Sequence, residues 1–127
     1  MKGRRRNPEA EIQRAVVACL RAVLPPGSIV HHSPNEQRGG GGKAAQAQAI
    51  GVGMGIHAGF ADLQVIAEGR VLFLEVKSRT GRLSPEQELF RDDVRAQGFA
   101  WALVRSVDDA LEAVEAAGIS TRIVRAP

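Results

Sequence analysis

The most restrictive part of the sequence lies between Asp62 and Lys77, where two apolar runs, Asp62 to Ala67 and Val71 to Lys77, flank the polar break Glu68-Gly69-Arg70. Val, Ile, Leu and Phe favour a pleated, half-buried surface, and a short break holding Gly favours a tight turn, so an antiparallel hairpin is predicted. Side chains alternate along a strand, which sends Leu72, Leu74 and Val76 to one face and Glu75 and Lys77 to the other. A carboxylate and an ammonium then share one patch. Asp62, at the start of the partner strand, is expected near the end where they emerge.

The flanking segments have helical signals. Pro8 to Val23 carries Ile12, Val16, Cys19, Leu20 and Val23 at helical spacing, with Asn7-Pro8 as cap and first position, and Pro25-Pro26-Gly27 ends it. Ser28 to His32 reads as a short strand. The run Gly39 to Gly42, beside Arg38 and Lys43, reads as a basic loop, and Lys43 to Ile50 as a short helix before a second Gly-rich stretch that ends at Gly59. Ser84-Pro85-Glu86-Gln87 opens a helix to about Gln97, with Gln87 placed for a capping box. Phe99 to Val104 is predicted as a strand, and Val107 to about Ala117 as a helix capped by Ser106 and closed by Gly118. The order, helix, strand, optional helix, strand, strand, helix, strand, helix, implies an α/β fold with a small mixed sheet flanked by helices.

A chain of 127 residues, 44% hydrophobic and 24% charged, has material for one core and no room for two. We divide it into a basic tail (1–7), one domain (8–118) and an extension (119–127). Cys19 is the single cysteine, which excludes an internal disulfide and a multi-cysteine zinc site; it is expected as a small buried hydrophobe in a reducing, cytoplasmic setting. No apolar run reaches signal-peptide or membrane-spanning length, so no membrane partner is expected. The glycines before Gly59 do not form GxGxxG and follow no strand, so no nucleotide cofactor is expected. A net charge of +3, with Lys2, Arg4, Arg5 and Arg6 in the tail, suits a polyanionic partner.

Two carboxylates beside a lysine suit phosphodiester hydrolysis. Mg²⁺ prefers oxygen ligands and takes only one or two carboxylates from a protein. Asp62 and Glu75 could hold such an ion, and Lys77 could orient the attacking water or meet developing negative charge. On spacing alone, a turn Asp and an exposed ion pair on a strand explain the same residues.

Ala61-Asp62-Leu63 followed by Phe73-Leu74-Glu75-Val76-Lys77-Ser78 resembles the bipartite motif of the PD-(D/E)xK nucleases. With Pro34-Asn35-Glu36, Gly59-Phe60-Ala61-Asp62-Leu63 and Gly81-Arg82-Leu83-Ser84-Pro85-Glu86-Gln87, the chain resembles more closely the virus-type replication-repair nuclease (VRR-NUC) family in its compact, phage-like single-domain form. The resemblance runs from about Pro8 to Ala117. It implies a restriction-endonuclease-like core, Asp62, Glu75 and Lys77 as catalytic residues, and Mg²⁺ or Mn²⁺ held by Asp62, Glu75 and the backbone carbonyl of Val76. The proline of the first motif is Ala61 here, a change that concerns backbone stiffness more than ligation.

Other assignments have two readings. Gln87 completes a capping box, yet lies on the Leu83, Phe90, Val94 stripe, and the resemblance implies a place beside the catalytic lysine. Glu9 and Glu11 compete as the helix-borne acid. Glu9 extends the Ile12, Val16, Leu20 stripe with Gln13 four residues on, whereas Glu11 lies on the Ala15, Ala18, Ala22 flank; the family's Glu-x-x-x-Gln pattern also fits Glu9, expected to reach the metal through water. His31 and His32 face opposite sides of a strand with no third ligand at a sensible spacing, so at most one is functional, and His57 reads as a loop residue. Asn35 is expected near DNA by resemblance, although Pro-Asn is also turn chemistry.

Arg38, Lys43, Arg79, Arg82 and Arg105, with the tail, are candidate phosphate contacts against a background of ordinary solubilising charge. Trp101 and four Phe residues fall mostly on apolar stripes, so recognition by shape and charge is expected rather than base stacking. The resemblance implies a metal-dependent DNA endonuclease acting on junctions, flaps or other branched DNA, and, because the compact forms are similar to Holliday-junction resolvases, a homodimer, since symmetric cutting of a four-way junction takes two active sites. Rivals are a non-catalytic DNA-binding module, a sequence-specific restriction-type enzyme, and a protein whose charged patch is only an ion-pair network.

Overall fold

The computed structural model describes residues 7–34, 53–55 and 57–122. Asn35, Arg38, Lys43, the basic residues of the tail and the expected helix at 43–50 lie outside them.

Helix α1 (Pro8–Val23) starts where expected: the Asn7 side chain accepts the Ala10 N–H at 3.1 Å, with Pro8 in the first turn. Strand β1 (Ile29–His32) follows. Strands β2 (Leu63–Ala67) and β3 (Arg70–Val76) form the predicted antiparallel hairpin, with Leu63 opposite Leu74 and Val65 opposite Leu72. Its turn is one residue shorter than Glu68-Gly69-Arg70. Glu68 and Gly69 both have positive φ, 53° and 73°, as a two-residue primed turn demands, and Arg70 already pairs with Ala67.

Helix α2 (Pro85–Ala96) crosses over to strand β4 (Ala100–Val104), which runs parallel to β3, and helix α3 (Val107–Ala116) completes the fold. Parallel neighbours need such a crossover, because a tight turn can join only antiparallel strands. The sheet order is β1-β2-β3-β4, mixed, as the alternation of elements implied.

Strand alternation divides the core in two. Leu63, Val65, Leu72, Leu74, Val76 and Val104 pack with Val16 and Leu20 of α1 and with Ala110 and Val114 of α3. The opposite face joins Phe73 and Trp101 to Phe90 and Val94 of α2. There Phe60, Phe73 and Phe90 meet with ring centroids 4.7 to 5.5 Å apart, in tilted and edge-to-face arrangements. The aromatics are thus mostly core, as their stripes suggested, although Phe99 is about half exposed. Cys19 is only half-buried, because it sits on the flank of the Val16, Leu20 stripe.

The segment after α3 is tied down as far as Arg122. Ile119 is buried in the α1/α3 core, the Ser120 N–H donates to Glu68 Oε1, and the Arg122 N–H donates to the Val23 carbonyl at 2.8 Å. The core therefore takes in Ile119, the first residue of the stretch assigned to an extension. No helix among the described residues is long and apolar enough to cross a membrane.

Candidate active site

The hairpin register carries directly into the site. Continuing the Leu63–Leu74 pairing by one step brings Asp62 opposite Glu75 at the strand ends. Asp62 does not continue the ladder through its backbone. Its side-chain Oδ2 accepts the Val76 N–H at 2.8 Å, while its carbonyl accepts the Ser33 N–H at 2.9 Å. Because a strand residue's N–H and C=O point to the same edge, the Val76 carbonyl faces the gap that Asp62 borders. The Lys77 N–H bonds the Val104 carbonyl at 3.0 Å, so the strand end is held from both sides.

Glu75 is 2% exposed, the one buried charged side chain in the described core. Its Oε1 accepts the Gln87 Nε2–H at 2.8 Å and lies 3.8 Å from Lys77 Nζ. Its Oε2 is buried and has no hydrogen-bond partner. Burial, and then the negative charge of Asp62, push the Glu75 carboxyl up from its ordinary 4.5 to about 8, a rise only partly offset by Lys77.

Gln87 satisfies both of its readings. Its Oε1 accepts the Ser84 N–H at 2.9 Å and Ser84 Oγ accepts the Gln87 N–H at 3.2 Å, which is the capping box, while its amide nitrogen reaches Glu75. Helix α2 is brought in by Gly59. With φ at 75°, that glycine lies so close to α2 that a Cβ would come within 2.2 Å of the Glu86 carbonyl.

A cleft of about 330 Å³ runs between α1 and the strand ends, lined by Glu9, Gln13, Arg14, His32, Asp62 and Val76. Glu9, not Glu11, borders it. Glu9 Oε1 also points toward Gly81, where an added Cβ would lie 3.0 Å from that oxygen and 3.4 Å from Lys77 Cδ. His32 Nδ1 lies 3.1 Å from the Asp62 carbonyl and 3.0 Å from Gln13 Nε2. It can serve one of them at a time, donating to the carbonyl when protonated or accepting from the amide when not.

The buried Glu75 carboxyl beside that of Asp62 gathers two acidic groups that a cation could share. Among the described residues no cluster of three or more His, Cys, Asp and Glu is poised for a metal, so an ion here would take two carboxylates and a backbone carbonyl. That small, all-oxygen set, with room for water in the cleft, would suit a hard divalent cation.

The proposed phosphate contacts divide. Arg79 and Arg82 are exposed beside the site. Arg105 is half-buried, and its guanidinium donates to the carbonyls of Ser78, Arg79 and Gly81. His57 is exposed and packs edge-on against Phe90 at 5.5 Å, a loop residue as expected. Sequence reasoning did not single out Arg14, and it named Gly59 and Gly81 only as members of motif strings, without a task. Arg14 follows Gln13 on α1, and Gly59 opens the Gly-Phe-Ala-Asp string, but their neighbours come from elements far away in the chain.

Residues 45–108, about half of the chain, match the family model of the VRR-NUC domain. Among solved structures that share the fold are two VRR-NUC domains. One, described as a VRR_NUC domain protein, is 23% identical with a TM-score of 0.65, over 92% of this chain and 90% of that one. The other, described as a VRR_NUC domain, is 21% identical with a TM-score of 0.59, over 87% of this chain and 97% of that one. No curated protein sequence matches. The matched stretch holds Asp62, Glu75, Lys77 and Gln87, the residues that the fold gathers at one end of the sheet. This chain belongs to the VRR-NUC family of nuclease domains.

Proposed function

We propose that this protein is a metal-dependent DNA endonuclease that hydrolyses phosphodiester bonds and selects branched DNA such as four-way junctions and flaps. The observation that carries the reading is the pairing of Asp62 with Glu75, whose Oε2 is buried and unpartnered, next to Lys77.

Asp62, Glu75 and the Val76 carbonyl would hold Mg²⁺ or Mn²⁺, which supplies Lewis-acid polarisation of the scissile phosphate and of the attacking water. The residues around them do the rest. Gln87 fixes one Glu75 oxygen by donating to it and so leaves the other for the ion. Lys77, anchored through its N–H to Val104, brings a positive charge to where negative charge develops on the phosphate. Glu9, across the cleft, can accept a hydrogen bond from water. Arg79 and Arg82 are exposed for backbone phosphates, and Asn35, Arg38 and Lys43 are proposed as further DNA contacts. A pair of such sites in a homodimer would cut a four-way junction symmetrically; a solution mass of one chain by light scattering at working concentration would reject the dimer.

The direct test is cleavage of labelled duplex, flap and four-way-junction DNA in Mg²⁺, Mn²⁺ or EDTA, with Lys77→Ala alongside. Cutting of the branched DNA that needs metal and is lost in the variant supports the reading. Binding without cutting in every condition would make the protein a non-catalytic DNA-binding module of the same fold, and cutting that follows sequence rather than shape would make it a restriction-type enzyme.

A further inference from the structure

Arg105 immediately follows β4, and the parallel register sets it beside Lys77: Val76 pairs with Val104, and the Val104 carbonyl accepts the Lys77 N–H. Its own backbone N–H donates to Asp109 Oδ2 at 2.9 Å, which anchors it to the first turn of α3. From there the side chain reaches back to the turn after Lys77. Nη1 donates to the Ser78 carbonyl, to the Gly81 carbonyl at 2.8 Å and, at 3.3 Å, to the Arg79 carbonyl. A terminal guanidinium nitrogen has two hydrogens, so Ser78 and Gly81 take the direct bonds and Arg79 shares one.

This turn follows Lys77 directly. It is closed by the Gly81 N–H on the Ser78 carbonyl at 3.1 Å, and a Cβ added at Gly81 would meet both Glu9 Oε1 at 3.0 Å and Lys77 Cδ at 3.4 Å. Carbonyls that converge this way repel one another unless a multi-donor cation sits between them, and Arg105 brings Nη1 there one bond farther along the side chain than a lysine ammonium would reach.

We infer that Arg105 is a positioning residue, not a phosphate contact: it clamps the 78–81 turn, against which the side chains of Lys77 and Glu9 both rest, and so holds those two in place. The inference rests on the nuclease reading for its catalytic consequence, and on the hydrogen bonds alone for the clamp.

The test uses the full chain as wild type, Arg105→Lys and Arg105→Gln. Three quantities are measured: amide hydrogen exchange at Gly81, with Leu74 in the sheet as a control for folding; binding of four-way-junction DNA in Ca²⁺ across a salt series; and single-turnover cleavage in Mg²⁺ at saturating DNA. The clamp predicts exchange at Gly81 faster by about tenfold or more in both variants, with Leu74 still protected. It also predicts a cleavage rate lower by roughly 10- to 100-fold, with Kd and salt slope unchanged and no rescue by lysine. Unchanged Gly81 exchange overturns the inference. So does a salt slope that falls by about 0.9 in Arg105→Gln and is restored in Arg105→Lys, the signature of a lost phosphate contact. Absence of cleavage by the wild type would instead reject the nuclease reading, and the exchange comparison would still decide the clamp.

Discussion

Gln87 and Glu75 are joined by a hydrogen bond whose direction is determined from outside the pair. Gln87 Oε1 is occupied by the Ser84 N–H at 2.9 Å, so the amide must present Nε2 to Glu75 Oε1, which it meets at 2.8 Å. The helix cap thereby orients a donor onto the buried carboxylate.

Substituting Gln87 separates capping from site chemistry. Gln87→Glu keeps an acceptor for the Ser84 N–H but sets a second carboxylate against Glu75, so the fold should persist while cleavage falls by roughly 100-fold or more. Gln87→Ala should add a loss of about 1 kcal/mol in stability from the broken capping box. Thermal melts beside single-turnover rates check both. Equal rates for wild type and Gln87→Glu would show that the donor plays no part in the chemistry.

The pH dependence follows from Glu75. Its folded value of about 8 lies above its ordinary 4.5, so the native state binds the proton more tightly than the unfolded chain does. This contribution to stability is fully present below about pH 4.5 and is lost as pH rises to about 8. In that window it lowers metal-free stability by up to about 1.4 kcal/mol per pH unit. Denaturant melts in EDTA should show this fall in the wild type and a flatter curve in Glu75→Gln. Parallel curves would count against the raised value.

Metal should stabilise the protein through the same residues. At an ion concentration of about 100 times Kd, binding to the folded state alone adds about 2.7 kcal/mol, seen as a higher Tm that EDTA reverses. Asp62→Asn should keep its hydrogen bond to the Val76 N–H through the amide oxygen, and so fold, yet lose most of the Mg²⁺- or Mn²⁺-induced shift. An undiminished shift in Asp62→Asn would place the ion elsewhere.

Gly59 is the position least tolerant of a methyl group. Ala there would combine a positive φ with a Cβ about 2.2 Å from the Glu86 carbonyl. We expect Gly59→Ala to cost about 2 kcal/mol or more. Cleavage should fall as well, because the start of α2 and with it Gln87 must shift. The Gly81→Ala variant, whose Cβ meets mainly the end of the Glu9 side chain at 3.0 Å, should be milder in stability. Melting temperatures of the two variants in parallel would test the ranking.

Local chemistry made much of this molecule legible in its amino-acid order. Asn7-Pro8 and Ser84-Pro85 set helix starts, and β-strand alternation alone divided Leu72, Leu74 and Val76 from Glu75 and Lys77. These features depend on neighbours a few residues apart, whose spacing is visible in one dimension. Helical spacing also favoured Glu9 over Glu11 for the cleft side of α1, and Glu9 lines the cleft. The tasks of Arg105 and Gly59 were hidden. Arg105 looked like one more surface cation until the parallel β3–β4 register carried it to the turn after Lys77, and Gly59 looked like loop punctuation until α2 packed against it. The Glu75 carboxyl likewise owes its raised value to burial and to Asp62, which only the docking of helices and the hairpin register bring about. Contacts between residues remote in the chain depend on how elements pack, and their sequence spacing does not encode it.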